Sequence, residues 1–229
     1  MAIIVGHKGA AGYAPENTLT SFREAIKIGC DRTELDVRLT NDKQVVVIHD
    51  KEVSKLTDGT GLVGEMNLLE LKKLRCLGNE SIPTLQEVIN ICKDKIDLQI
   101  ELKAEGTPQP VSNLITQNGI EDQVFITSFK INLLAEIKKL NPGLRVGLLF
   151  RDEEVMADIW NLINQIPLDF LAPFSEIITA EFVAKAHSLG RKVYAYHVNN
   201  KELGDKLIAM GVDEIGTDFP KLFIEPKIV

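Results

Sequence analysis

Glu34 and Asp36 stand two residues apart in a β-rich run that continues to Leu39. Side chains alternate along a strand, so both carboxylates point to one face. Glu101 and Lys103 repeat that spacing after Leu98-Gln99-Ile100. His7 follows the run Ile3-Ile4-Val5, and His49-Asp50 follows the run Val45 to Ile48. Three carboxylates on inward strand positions are costly unless they bind a cation or are hydrogen-bonded. Hard oxygen ligands of this kind suit Mg²⁺ or Ca²⁺. Two histidines beside them suit general acid and base chemistry near neutral pH. Each residue also has a simpler role. A strand-end carboxylate can be solvated or cap a helix, a lone histidine can be structural, and Lys103 can pair with Glu101 or Glu34. Residue types and spacing leave both readings open.

The elements that must position these residues alternate along the whole chain. Further β-rich runs cover Val124 to Thr127, Val146 to Phe150, Phe170 to Ala172, Val193 to Val198 and Glu214 to Thr217. Amphipathic helical stretches separate most of them, as where Leu85, Val88, Ile89 and Cys92 recur at helical spacing. Thr84 and Glu87 predict a capping box for that helix, and Asn67 and Glu70 a related start for a shorter one. Gly190 and Gly211 stand where two later helices should end. Such alternation predicts a parallel sheet, and a length of 229 residues suits an α/β fold of the (β/α)8 TIM type.

Nine β-runs are one too many for that barrel. The polar segment Thr40 to Gln44 makes Glu34 to Leu39 and Val45 to Ile48 a hairpin, read as one barrel strand that runs on into its partner. With Asp42-Lys43 as a two-residue turn, Asp36 falls opposite His49. Residues 51–82 break the rhythm and predict a small insertion after the His49-Asp50 hairpin, within a single domain spanning 1–229. In a β/α barrel the active site lies at the C-terminal strand ends, which is where the residues above fall.

Composition excludes other classes. The chain is 45% hydrophobic and 26% charged, an ordinary globular balance. Its net charge of −7 argues against a general nucleic-acid or anionic-membrane surface. No apolar run approaches the roughly 20 residues needed to span a bilayer, and no signal peptide is visible at the start. Three widely spaced cysteines give no disulfide framework and no paired zinc motif. Buried thiols in a cytoplasmic protein are expected. No feature indicates the oligomeric state.

The strings His7-Lys8-Gly9, Pro15-Glu16-Asn17-Thr18, Glu34-Leu35-Asp36-Val37 and Val47-Ile48-His49-Asp50 resemble the glycerophosphodiester phosphodiesterase family. The resemblance continues through Thr57 to Val63, Ile82 to Leu85, Glu101-Leu102-Lys103, Ser128-Phe129 and Gly211 to Pro220. It implies a β/α barrel with a small insertion and a divalent metal, Mg²⁺ or Ca²⁺, held by Glu34, Asp36 and Glu101. It implies that His7 and His49 act as acid and base, and that Lys8 and Lys103 face the phosphate. The family usually carries Arg where Lys8 stands. Lysine supplies charge without a planar bidentate fork. Asn17 reads as a helix start with a capping role. Where the family usually has Trp and Thr, this chain has Tyr196 and His197. Alternation turns Tyr196 toward the pocket as a substrate-binding residue and His197 outward as a packing residue. His187 is expected on the surface.

The implied reaction is hydrolysis of a small glycerophosphodiester to glycerol 3-phosphate and an alcohol. The implied attacker is the substrate's own neighbouring hydroxyl, through a cyclic phosphate. A lysophospholipase D-type activity would use the same site on a lysophospholipid. An aldolase or isomerase would need a Schiff-base lysine or a proton-abstracting base instead, and Lys103 is the only suggestive lysine. A catalytically inactive phosphate-ligand binding barrel is the non-enzyme reading, and the full set of histidines and carboxylates argues against it.

Overall fold

The computed structural model describes residues 2–164 and 166–225; Met1, Gln165 and the last four residues of the expected 1–229 span lie outside it. In chain order the elements are β1 (Ile3–Gly6), α1 (Leu19–Ile28), β2 (Arg32–Leu39), β3 (Val45–Val47), α2 (Leu68–Leu71), α3 (Leu85–Cys92) and β4 (Asp97–Leu102). Then come α4 (Pro108–Asn118), β5 (Val124–Ser128), α5 (Ile131–Leu140), β6 (Arg145–Phe150) and α6 (Glu153–Leu162). The chain continues with β7 (Phe170–Pro173), α7 (Ala180–Ser188), β8 (Lys192–Ala195), α8 (Lys201–Ala209) and β9 (Glu214–Thr217). Eight strands pair in parallel in the order β1-β2-β4-β5-β6-β7-β8-β9, and β9 returns to β1, closing the barrel. β3 lies outside the ring, antiparallel to β2, so the ninth run is the hairpin partner.

The hairpin register differs from the expected one by a residue. Val37 faces Val47 and Leu39 faces Val45, which places Asp36 opposite Ile48. The Ile48 amide donates to the Asp36 carbonyl at 2.9 Å. The turn has three residues rather than two. Thr40 pairs with Gln44, and Lys43 takes a positive φ of 62°. A left-handed residue closing a three-residue loop is a common hairpin solution. The Thr40 hydroxyl favours it by bonding the Asp42 carboxylate at 2.6 Å and the Gln44 amide at 2.9 Å.

Local signals elsewhere work as their chemistry requires. The Thr84 hydroxyl accepts from the Glu87 amide at 3.2 Å, and the Glu87 carboxylate accepts from the Thr84 amide at 2.7 Å. The Glu70 carboxylate accepts from the Asn67 amide at 2.7 Å. Gly190 and Gly211 reverse the chain after α7 and α8 with φ of 69° and 94°. Residues 51–82 carry α2 and short turns over a small apolar cluster of Val46, Ile48, Val53, Val63, Leu71 and Ile82. All three cysteines are buried and free, and burial pushes the Cys30 and Cys92 thiols up to about 12. Among the described residues no helix is long and apolar enough to cross a membrane.

Two cores hold the barrel. One fills the space between strands and helices; the other lies inside the ring and includes Val5, Phe125, Phe170 and Tyr194. Gly147 and Gly216 make room for it, since a Cβ on either would stand 2.1 Å from the Phe170 ring or the Tyr194 hydroxyl. Below the site Arg32 reaches from β2 to Glu214 on β9, with guanidinium–carboxylate contacts of 2.6 and 3.3 Å. The Arg32 guanidinium also lies 3.1 Å from the Phe125 ring centre. Both partners are fully buried. Removing one charge strands the other, so Glu214→Ala is expected to cost about 3–5 kcal/mol. The double variant Arg32→Met, Glu214→Leu should recover most of that loss in urea unfolding. If it does not, the ion pair itself stabilises the barrel.

Candidate active site

The C-terminal ends of the barrel strands converge on a pocket lined by residues from β2, β4, β6 and β8 and the segments that follow β1, β3, β4, β5, β6 and β8. Glu34, Asp36 and Glu101 come from adjacent strands, with Asp36 level with Glu101 in the β2–β4 ladder. One oxygen of each lies within 4.8 Å of the others. Glu34 accepts the Lys8 amide at 3.0 Å. Glu101 accepts from the Lys103 ammonium at 2.7 Å. Asp36 Oδ2 accepts from the Asn17 side chain at 2.9 Å, whereas buried Asp36 Oδ1 has no hydrogen-bond partner and only Lys103 Nζ at 3.5 Å.

The electrostatics of this trio are those of an acidic site short of positive charge. Burial and the neighbouring Asp36 hold Glu101 up at about 7, and burial with Asp36 and Glu101 holds Glu34 well above the usual carboxylate range. Burial opposes ionisation of Asp36 too, but Lys103, His49 and Lys8 outweigh it and keep Asp36 below its ordinary value. Three close carboxylates, one with an orphaned buried oxygen, fit a hard divalent cation.

His7 Nδ1 stands 2.7 Å from Asp218 Oδ1, and Nε2 lies 3.9 Å from Glu34 on the other side of the ring. Burial works against the Asp218 charge, yet the His7 and Asn199 side chains hold it below the usual range. An ionised Asp218 fixes the Nδ1 proton and leaves Nε2 for the pocket. His49 also lines the pocket, its carbonyl held by the Arg38 guanidinium at 2.8 Å. Burial keeps the His49 imidazole below its ordinary value, with Asp36 pulling the other way. Lys8 lines the same pocket but pairs with Glu16 at 3.0 Å. Tyr196 is a wall, its hydroxyl donating to the Phe150 carbonyl at 3.1 Å.

Two residues behave otherwise than expected. Asn17 does not cap α1. Thr18 does, accepting from the Ser21 amide, while fully buried Asn17 clamps Asp36 through its side-chain amide and carbonyl. His197 is not turned outward. It lines the pocket with its ring 4.0 Å from that of His7. The ladder of β8 ends at Ala195, and beyond it Tyr196 makes a single bridge to Phe174, so strand alternation no longer governs position 197. His187 is half-exposed and pairs with Asp213, as a surface residue.

Burial and the adjacent His7 push the His197 imidazole down to about 3, with Asp218 opposing and Arg151 and Lys8 adding to the shift. An unfolded chain protonates this ring near its ordinary value of 6.5. The stability associated with the neutral ring is therefore complete above that pH and is lost as pH falls toward 3. The loss by pH 5 is about 2 kcal/mol. Urea unfolding at pH 7.5 and pH 5 should show that decrement in the parent and a smaller one in His197→Gln. Equal decrements would place a proton on the folded ring.

Asp218, Arg151 and Phe129 complete the pocket and its supports, and sequence reasoning did not single them out as functional. Each follows the last residue of a barrel strand or lies one position beyond it. The strand-end rule applied to β5, β6 and β9 as well as to β1, β2 and β4 would have found them.

The fold and the pocket define a β/α-barrel enzyme with an acidic, histidine-bearing site at its strand ends. Residues 7–222 match the glycerophosphoryl diester phosphodiesterase family model, and the chain belongs to that family. A glycerophosphodiester phosphodiesterase of Caldanaerobacter subterraneus subsp. tengcongensis is 34% identical, over 97% of this chain and 96% of its own. A solved phosphodiesterase from Oleispira antarctica, in complex with the product sn-glycerol-3-phosphate, superposes with a TM-score of 0.87 at 28% identity. That match covers 95% of this chain and 93% of the other. A glycerophosphodiester phosphodiesterase from Thermotoga maritima gives a TM-score of 0.85 at 28% identity, covering 97% of each chain. The protein is a phosphodiesterase enzyme of this family.

Proposed function

We propose that the protein hydrolyses small glycerophosphodiesters to glycerol 3-phosphate and an alcohol, with a divalent cation, Mg²⁺ or Ca²⁺, held by Glu34, Asp36 and Glu101. The observation that carries this reading is the carboxylate trio, two of whose members line the pocket, beside the Asp218-oriented His7. A cation bound there supplies Lewis-acid stabilisation of charge on the nonbridging phosphoryl oxygens. Lys103 adds positive charge on the same side, and Lys8 does so once substrate competes with Glu16 for its ammonium. His7 and His49 act as acid and base: one takes the proton of the attacking glycerol hydroxyl and the other protonates the leaving alcohol oxygen, and water then opens the resulting cyclic phosphate to glycerol 3-phosphate. Because Asp218 holds Nδ1, His7 exchanges its proton at Nε2. Asn17 holds Asp36 in place beside Glu34 and Glu101, and Tyr196 walls the substrate. The product held by the Oleispira relative supports glycerol 3-phosphate as the retained half.

No residue of 51–82 lines this pocket, although Leu62, Leu69 and Leu77 of that segment are exposed. The test is an enzyme-coupled assay for glycerol 3-phosphate over glycerophosphodiesters and a lysophospholipid, with Mg²⁺ and with Ca²⁺. Release from at least one glycerophosphodiester is expected. Cleavage confined to the lysophospholipid, or none, would overturn the reading.

A further inference from the structure

Arg151 directly follows β6, two strands beyond β4 in the ring order, and borders the pocket there. Its guanidinium carbon lies 5.5 Å from the ring centre of Phe129, 5.7 Å from that of Phe174 and 5.8 Å from that of Tyr196. Tyr196 meets Phe129 and Phe174 edge-on at 6.2 and 6.1 Å, so the three rings form a continuous wall. Three aromatic faces around a positive charge are the arrangement that recognises a quaternary ammonium. Here the chain's own cation occupies it. The other two pocket cations are already matched, Lys8 by Glu16 and Lys103 by Glu101. Among the described residues no carboxylate forms an ion pair with Arg151. The Tyr196 hydroxyl takes one hydrogen bond from Arg151, and the remaining N–H groups of the guanidinium are left for an anion.

We propose that Arg151 selects substrate by the charge of the alcohol half, favouring glycerophosphodiesters whose alcohol carries an anionic group and disfavouring those with a cationic headgroup such as choline. The proposal rests on the phosphodiesterase reading of the same pocket. A phosphorylated or carboxylated alcohol would meet these N–H groups on the β6 rim. A trimethylammonium group would meet like charge in a box already filled.

The experiment measures kcat/KM for three diesters sharing the glycerol half, with glycerol phosphate, glycerol or choline as the other. The enzymes are the parent, Arg151→Gln and Arg151→Glu, each checked by thermal unfolding. The parent should rank them anionic, neutral, cationic. Arg151→Gln should shift the anionic-to-choline ratio by about tenfold toward choline, mainly through KM, as loss of a charged hydrogen bond implies. Arg151→Glu should invert the order, and added salt should compress the parent's preference. An equal loss on all three diesters would make Arg151 a grip on the phosphodiester itself and overturn the proposal. An unchanged ratio would overturn it too, leaving the phosphodiesterase reading intact. Failure of the parent on every diester would overturn both.

Discussion

Metal-free protein is expected to be inactive, to regain activity with Mg²⁺ or Ca²⁺, and to lose that response when Asp36 becomes Asn. The trio of Glu34, Asp36 and Glu101 brings three carboxylates within 4.8 Å, yet only Lys103 among the nearby cations contacts two of them. Charge stabilisation of a phosphoryl transition state by a bound cation is worth several kcal/mol. Asp36→Asn should therefore lower kcat/KM by about 10²–10⁴-fold. The readout does not depend on turnover alone. Mg²⁺ titration should raise the melting temperature of the parent by mass action and leave that of Asp36→Asn nearly unmoved. Full turnover in a verified metal-free preparation would remove the cation from the site.

His7→Ala should lower kcat by about 10²–10⁴-fold, the scale of lost acid–base catalysis. His49→Ala should also cost about 10²-fold or more. Asp218→Asn should act on the same step less severely, because it leaves the ring in place and alters only the partner of Nδ1. The double variant His7→Ala, Asp218→Asn should then be little worse than His7→Ala, since Asp218 works through that ring. Additive losses in this pair would assign Asp218 a separate role. Normal rates in His7→Ala would exclude the ring from the chemistry.

Much of this was legible in one dimension because the physics is local. Strand and helix runs follow from side-chain periodicity, and the Thr84–Glu87 box from hydrogen bonds three residues apart. The Glu34–Asp36 and Glu101–Lys103 spacings fix a shared face wherever the strand is regular. The hairpin register escaped because a two-residue and a three-residue turn suit the same polar string. The choice fell to Lys43 in the left-handed region, with Thr40 holding the loop.

The chain by itself determined the alternation that closes the barrel, the carboxylates and histidines at its strand ends, and the family that their strings resemble. The tertiary structure alone decided which partners those groups meet. His7 and Asp218 are 211 positions apart, and Arg32 and Glu214 are 182 apart. Each pair forms because closure sets β1 and β2 beside each other and β9 against β1. His197 faces His7 because the β8 ladder stops at Ala195, and Asn17 grips Asp36 because Thr18 takes the cap. Periodicity encodes which face a residue takes within an element. It carries no information about which distant element, or which end of a ladder, will stand opposite, because contacts across the ring are fixed by strand order and closure rather than by separation along the chain.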